Sequence, residues 1–170
     1  MPSVLFVCTA NRFRSPLAAA IFLKALEEEG SGTLGLSSPR GPKAWRVGSA
    51  GNWATPGEPV LPAVLDAARR LGIDLSNHRS QRVSGALLSE YDLILVMQAS
   101  QQEALQNEFP SQQDRIYLIS HVVERGSYDI TDQSGSEQEV ANVVSEMDGL
   151  IRGGLRYICV LATYLHNTRN

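Results

Sequence analysis

The chain has 170 residues, 43% of them hydrophobic and 19% charged, which suits one packed domain over residues 1–170 and argues against disorder. A formal charge of −3 gives no electrostatic case for nucleic acid or an anionic membrane surface as partner. Two cysteines, Cys8 and Cys159, exclude a disulfide framework and any four-cysteine metal site, and suggest a reduced, cytoplasmic setting.

No apolar run approaches the ~20 residues of a membrane helix, and residues 1–8 lack the basic flank of a signal peptide. Val4–Val7 is a short continuous apolar run, the mark of a strand buried on both faces. From Pro16 a helical stripe of Leu17, Ile21, Phe22, Ala25 and Leu26 runs to Gly30. Its last turn holds Glu27, Glu28 and Glu29, the wrong sign for the helix dipole, so fraying is expected there. Residues 31–43, rich in Gly, Ser and Pro, read as an exposed loop.

A second strand is expected at Arg46–Ala50, then a helix carrying Val60, Leu61, Val64, Leu65, Ala68 and Leu71 and ended by Gly72. A short helix near Arg82–Ser89 precedes a strand at Asp92–Met97. Ser100 and Glu103 have the spacing of a capping box for the next helix, which stops before Pro110. Ile116–Ile119 reads as a fourth strand, followed by a polar loop. Ser136 and Glu139 then cap a long helix that the pair Gly153 and Gly154 is expected to kink. Strands alternating with helices imply an α/β fold of three layers, with a parallel, Rossmann-like sheet covered on both faces. Ligands of such sheets bind at the carboxyl ends of the strands, and the first strand ends at Cys8.

Between that strand and its helix lie Cys8, Thr9, Ala10, Asn11, Arg12, Phe13, Arg14 and Ser15. A cysteine, five residues, an arginine and a serine is the spacing of a thiolate-based phosphate loop. A loop this short can curl so that successive N–H groups point inward as an anion nest, with the positive end of a helix behind it. Ser15 suits the N-cap and Pro16 the first helical position. A sulfur facing such a nest is favoured as thiolate, and the Arg14 fork can hold two phosphate oxygens. Alternatively, Cys8 is a small buried hydrophobe at a strand end; the conjunction of strand, spacing and helix start favours chemistry. Cys159, beside Ile158 on an apolar stripe, reads as core.

The stretch Val4–Ala18 resembles the opening of the low-molecular-weight protein tyrosine phosphatases. The likeness continues through Gly48–Gly51, Gly72–Ser80, Asp92–Met97 and Asp129–Asp132. The resemblance implies a four-stranded parallel sheet of the phosphotyrosine phosphatase I type. It also implies hydrolysis of phosphotyrosine on a protein substrate through a phosphocysteine, without metal or cofactor, releasing inorganic phosphate. Cys8 would be the nucleophile, Arg14 would bind phosphate and stabilise the transition state, and Ser15 would help hold the thiolate. Asn11 would hold the loop's shape, with His78 behind it. Thr9, Ala10, Asn11, Arg12, Phe13 and Ser15 would line the phosphate site.

The leaving oxygen needs a proton and the attacking water must later lose one, and a single carboxyl group can do both in turn. Asp129 and Asp132 are candidates; each could also be a plain turn residue. The family pattern places the acid at Asp132, with Asp129 as the fallback. Several residues depart from that pattern. Ala10 stands where glycine is usual, which predicts a tighter backbone. Phe13 stands where a second cysteine is common, so Cys8 lacks a thiol that could form a protective disulfide. Gln133 and Ser134 replace Pro and Tyr, removing one aromatic wall, while Trp53 is positioned in sequence to supply the other. Arg12 replaces a small or aliphatic residue at the pocket mouth. There it could stack on an aryl ring or attract an acidic substrate, repelling phosphoarginine, or it could point into solvent.

The competing functions are a phosphoarginine phosphatase and a non-catalytic phosphate- or phosphopeptide-binding module. Arsenate reduction on this loop needs a relay of further cysteines, and only Cys159 is available. A dinucleotide site is disfavoured because no Gly-x-Gly-x-x-Gly follows the first strand.

Overall fold

A computed structural model describes residues 1–29 and 41–169. The four expected strands form as β1 (Ser3–Cys8), β2 (Arg46–Gly51), β3 (Leu93–Val96) and β4 (Ile116–Leu118), all parallel, in the order β2-β1-β3-β4. Strand β1 is central and wholly buried, as its unbroken hydrophobicity requires. Val4, Phe6 and Cys8 face one apolar layer, and Leu5 and Val7 face the other.

The first layer is built from α1 (Arg14–Glu29), α2 (Pro62–Arg70), α5 (Ile119–Glu124) and α6 (Glu137–Arg169). The opposite layer holds α3 (Gly85–Ser89) and α4 (Ala99–Glu108), which pack Leu88 and Leu105 on Leu5, Val7, Ile94 and Val96. The three-layer α/β expectation is met. Because the chain leaves β1 for β2 on one side and reaches β3 on the other, the carboxyl end of β1 is the switch point where ligands bind.

Local differences have physical causes. Helix α1 keeps its acidic last turn, because Glu28 is paired with Arg152 of α6 and with Lys24, whose Nζ lies 3.9 Å away. That pairing lowers the Glu28 carboxyl below its ordinary 4.5. Gly30 and residues 31–40 of the expected loop lie outside the described residues, while Pro42–Ala44 form a turn of 3-10 helix. Helix α3 starts later than expected, its N-cap Ser84 accepting from the N–H of Leu87.

The box opening α4 is Gln98 with Gln101, not Ser100 with Glu103. Strand β3 stops at Val96, so the helix follows two residues on and its cap falls before Ser100. Helix α5 replaces the start of the expected polar loop. Ile119 and Val123, four residues apart, bury one helical face in the α1/α6 layer.

Helix α6 runs unbroken through Gly153 and Gly154, contrary to the expected kink. Gly154 is a close approach: a Cβ there would lie 2.2 Å from Cγ1 of Val123 in α5. Gly153 faces open space. Gly154→Ala therefore destabilises by about 1–3 kcal/mol through overpacking. Gly153→Ala stabilises by up to ~1 kcal/mol through helix propensity. Urea unfolding of the two variants checks the opposite signs.

Candidate active site

The phosphate-loop spacing closes into a ring because its carbonyls are pulled outward. Cys8 O accepts from Asn52 N–H at 3.1 Å, Thr9 O from Trp53 N–H at 3.0 Å, and Arg12 O from Leu61 N–H at 3.1 Å. Phe13 O accepts from Leu17 N–H at 3.2 Å, and Asn11 O from His78 Nε2 at 2.8 Å. A trans peptide points its N–H opposite to its C=O, so the N–H groups of Thr9, Ala10, Arg12, Phe13 and Arg14 turn to the inside. This is the geometry of an anion nest at the N-terminus of α1.

The residue that bends the ring is Asn11, with φ 57, in the left-handed region that asparagine tolerates better than most residues. Its amide repays the strain. Nδ2 donates to Ser15 Oγ at 2.8 Å and to Ser49 Oγ at 2.9 Å, and Oδ1 accepts from Gln81 N–H at 2.9 Å. Ala10 has no positive φ, so alanine in the usual glycine place leaves the backbone unstrained. The close approach is taken by Gly51 instead: a Cβ there would lie 2.5 Å from Thr9 O and 2.9 Å from Asn11 N. Half-buried His78 braces Asn11 from behind. Burial, with Arg79 adding to it and the Asn11 bond opposing, lowers its imidazole below 6.5.

Cys8 Sγ lies 3.0 Å from Ser15 Oγ. The same hydroxyl lies 3.1 Å from Ala50 O and has one proton to give. As a thiol, Cys8 donates to Ser15 while Ser15 donates to Ala50; as a thiolate, the sulfur attracts the serine proton to itself. The hydroxyl rotor thus serves both states without moving a heavy atom.

Among the described residues Arg14 is the largest fully buried side chain, 1% exposed. Nη1 donates to Gln98 Oε1 at 2.9 Å and to Ile130 O at 2.8 Å. Nη2 lies 3.5 Å from Thr9 Oγ1 and 3.6 Å from Asp132 Oδ2, and buried Nε has no hydrogen-bond partner. One edge of the guanidinium is saturated and the Nε/Nη2 edge keeps donors for an oxyanion. The loop carrying Asp132 is stapled down by buried Ile130, whose N–H donates to Met97 O at 2.9 Å. Two residues on, Asp132 is 46% exposed at the open side of Arg14. Asp129 is turned away: Oδ1 accepts from Ala99 N–H at 2.8 Å, at the start of α4.

Residues 3–156 match the sequence profile described as low molecular weight phosphotyrosine protein phosphatase. The chain belongs to that family. It is 33% identical over 130 residues to a probable low molecular weight protein-tyrosine-phosphatase, EpsP, of Ralstonia nicotianae, covering 76% of this chain and 77% of that protein. It is 27% identical over 150 residues to the protein-arginine-phosphatase of Bacillus subtilis, covering 88% and 91%. Among solved structures, a YwlE mutant from Bacillus subtilis superposes with a TM-score of 0.79 at 27% identity, over 98% of this chain and 99% of that one.

The remaining expected residues divide. Phe13 buries its side chain in the core, so it faces the phosphatase loop's interior through its backbone alone. Arg12 Nε donates to Pro59 O at 2.8 Å, which ties it to the loop after β2 rather than leaving it loose in solvent. Trp53 is 68% exposed, with the Arg82 guanidinium 5.2 Å from its ring centroid and its own N–H anchored on Thr9. Cys159 is core, its thiol pushed up to about 12 by burial. Gln98, Gln101, Ser49, Gln81 and Ile130 carry the site's support and are missed by motif reading; an isolated isoleucine between two aspartates in a polar loop is the one signal that could have been used.

Proposed function

We propose that the chain is a single phosphatase domain that hydrolyses phosphotyrosine on protein substrates through a phosphocysteine, in a cytoplasmic setting. The carrying observation is the buried Arg14 guanidinium, with both Nη1 protons taken by Gln98 Oε1 and Ile130 O, Nε left without a partner and Nη2 3.5 Å from Thr9 Oγ1, the residue after Cys8. In the first step Cys8 sulfur attacks phosphorus and the P–O bond to the phenol breaks. Asp132, as the acid, gives its proton to the departing oxygen. The nest and Arg14 stabilise the equatorial oxygens in the transition state. In the second step Asp132, now carboxylate, takes a proton from water as its oxygen bonds phosphorus. The S–P bond breaks, leaving thiolate and inorganic phosphate. The likeness to a protein-arginine-phosphatase favours phosphoarginine as a second reading. Against it, Arg12 sets a cation at the loop's rim, and like charges repel. Rates on phosphotyrosine, phosphoarginine and phosphoserine peptides decide: phosphotyrosine is cleaved fastest. A faster rate on phosphoarginine reverses the assignment.

A further inference from the structure

Two glutamines outside the phosphate loop fix the arginine on which the proposed function depends. Gln101 is 3% exposed and every polar atom of its amide is used. Its Oε1 accepts from Met97 N–H at 3.0 Å and Gln98 N–H at 3.1 Å, at the carboxyl end of β3. Its Nε2 donates to Thr9 Oγ1 at 3.1 Å and to Gln98 Oε1 at 3.1 Å. The Gln98 oxygen, held in this way, accepts one Nη1 proton of Arg14, and Ile130 O accepts the other.

The relay runs from sheet backbone to Gln101, to Gln98, to the guanidinium, with a branch to the hydroxyl of Thr9. It sets the rotation of the guanidinium plane, with Nη2 3.5 Å from Thr9 Oγ1 of the loop and Nε left without a partner. It is also neutral throughout. Both acceptors on Nη1 are uncharged, and the only carboxylate near Arg14 among the described residues is Asp132, at 3.6 Å on the open side. The arginine's charge is therefore left for a phosphate dianion and for the acid that must approach it.

We propose that Gln98 and Gln101 are positioning residues for phosphoryl transfer, and that their neutrality as well as their shape is required. Gln98→Glu separates the two. A carboxylate keeps an acceptor for Arg14 and Gln101, and at a helix N-terminus it favours the fold. It also sets a negative charge behind the oxyanion site. The expected result is an unfolding temperature no lower than native and a dissociation constant for inorganic phosphate raised about tenfold or more. KM for an aryl phosphate rises with it. Gln98→Met, neutral but without the acceptor, loses mainly kcat, because the guanidinium is no longer held in plane for the transition state. A folded Gln98→Glu protein that binds phosphate as the native one does overturns the charge role. Native kcat in Gln98→Met overturns the positioning role and remains decisive if the glutamate variant fails to fold. The inference rests on the phosphatase reading, and the two fail separately: an inactive native protein sinks that reading, while calorimetric phosphate binding still tests the relay.

Discussion

Cys8→Ser abolishes hydrolysis of p-nitrophenyl phosphate, with a loss of about four orders of magnitude or more in kcat. The substitution exchanges sulfur for oxygen in a site that keeps everything else. The nest is backbone, Arg14 is held by Gln98 and Ile130, and the serine hydroxyl can occupy the place of a side chain that is 2% exposed. What is lost is the nucleophile. An alcohol does not ionise in this range, and the hydroxyl next to it, Ser15, is no base. The variant should therefore still bind inorganic phosphate by calorimetry and unfold near the native temperature while turning over nothing. That combination separates a missing nucleophile from a damaged fold. Retained turnover with serine at position 8 would remove sulfur from the mechanism.

How far the sequence leads to such a site depends on the range of the interactions. Strand β1 and the end of α2 before Gly72 are encoded within a few residues, and periodicity or a terminating glycine finds them. Helix α1 instead starts at Arg14, one residue before the expected cap Ser15, whose hydroxyl is turned to Cys8 and Ala50. The Cys8 to Ser15 loop is legible for the same reason as β1: the residues proposed as nucleophile and as phosphate-binding groups are contiguous. Its support is not. Gln98 meets Arg14 across 84 residues, Ile130 meets it across 116, and Gln81 meets Asn11 across 70. Nothing in a glutamine's neighbours shows that its amide will face an arginine. The short-range rules failed where tertiary packing decided the outcome. Gln98 rather than Ser100 caps α4 because β3 stops at Val96, and Ile119 turns helical because α6 offers its face to α5. Ala10 shows the reverse case. The usual glycine predicts strain there, yet the positive φ falls on Asn11 and the close approach on Gly51.

Asp132 is the expected general acid, and its test turns on the leaving group. Asp132→Asn slows hydrolysis of a phosphotyrosine peptide by about 10²–10⁴-fold. The phenol oxygen of tyrosine, with an ordinary pKa of ~10, leaves poorly unless it is protonated as the bond breaks. p-Nitrophenolate is far more stable as an anion, so its release needs little help and the same variant loses much less of the first step. A burst of p-nitrophenol then marks the second step, in which asparagine cannot take the proton of the attacking water and phosphocysteine accumulates. Asp129→Asn serves as the control. Its side chain still offers an oxygen to Ala99 N–H, and in the fold that oxygen points to the start of α4 rather than toward the phosphate loop. Both substrates should then be cleaved at close to the native rate. Equal losses on the two substrates in Asp132→Asn would reduce Asp132 to an electrostatic neighbour of Arg14. A leaving-group-dependent loss in Asp129→Asn would transfer the proton to that residue and require the 126–136 loop to swing when substrate binds.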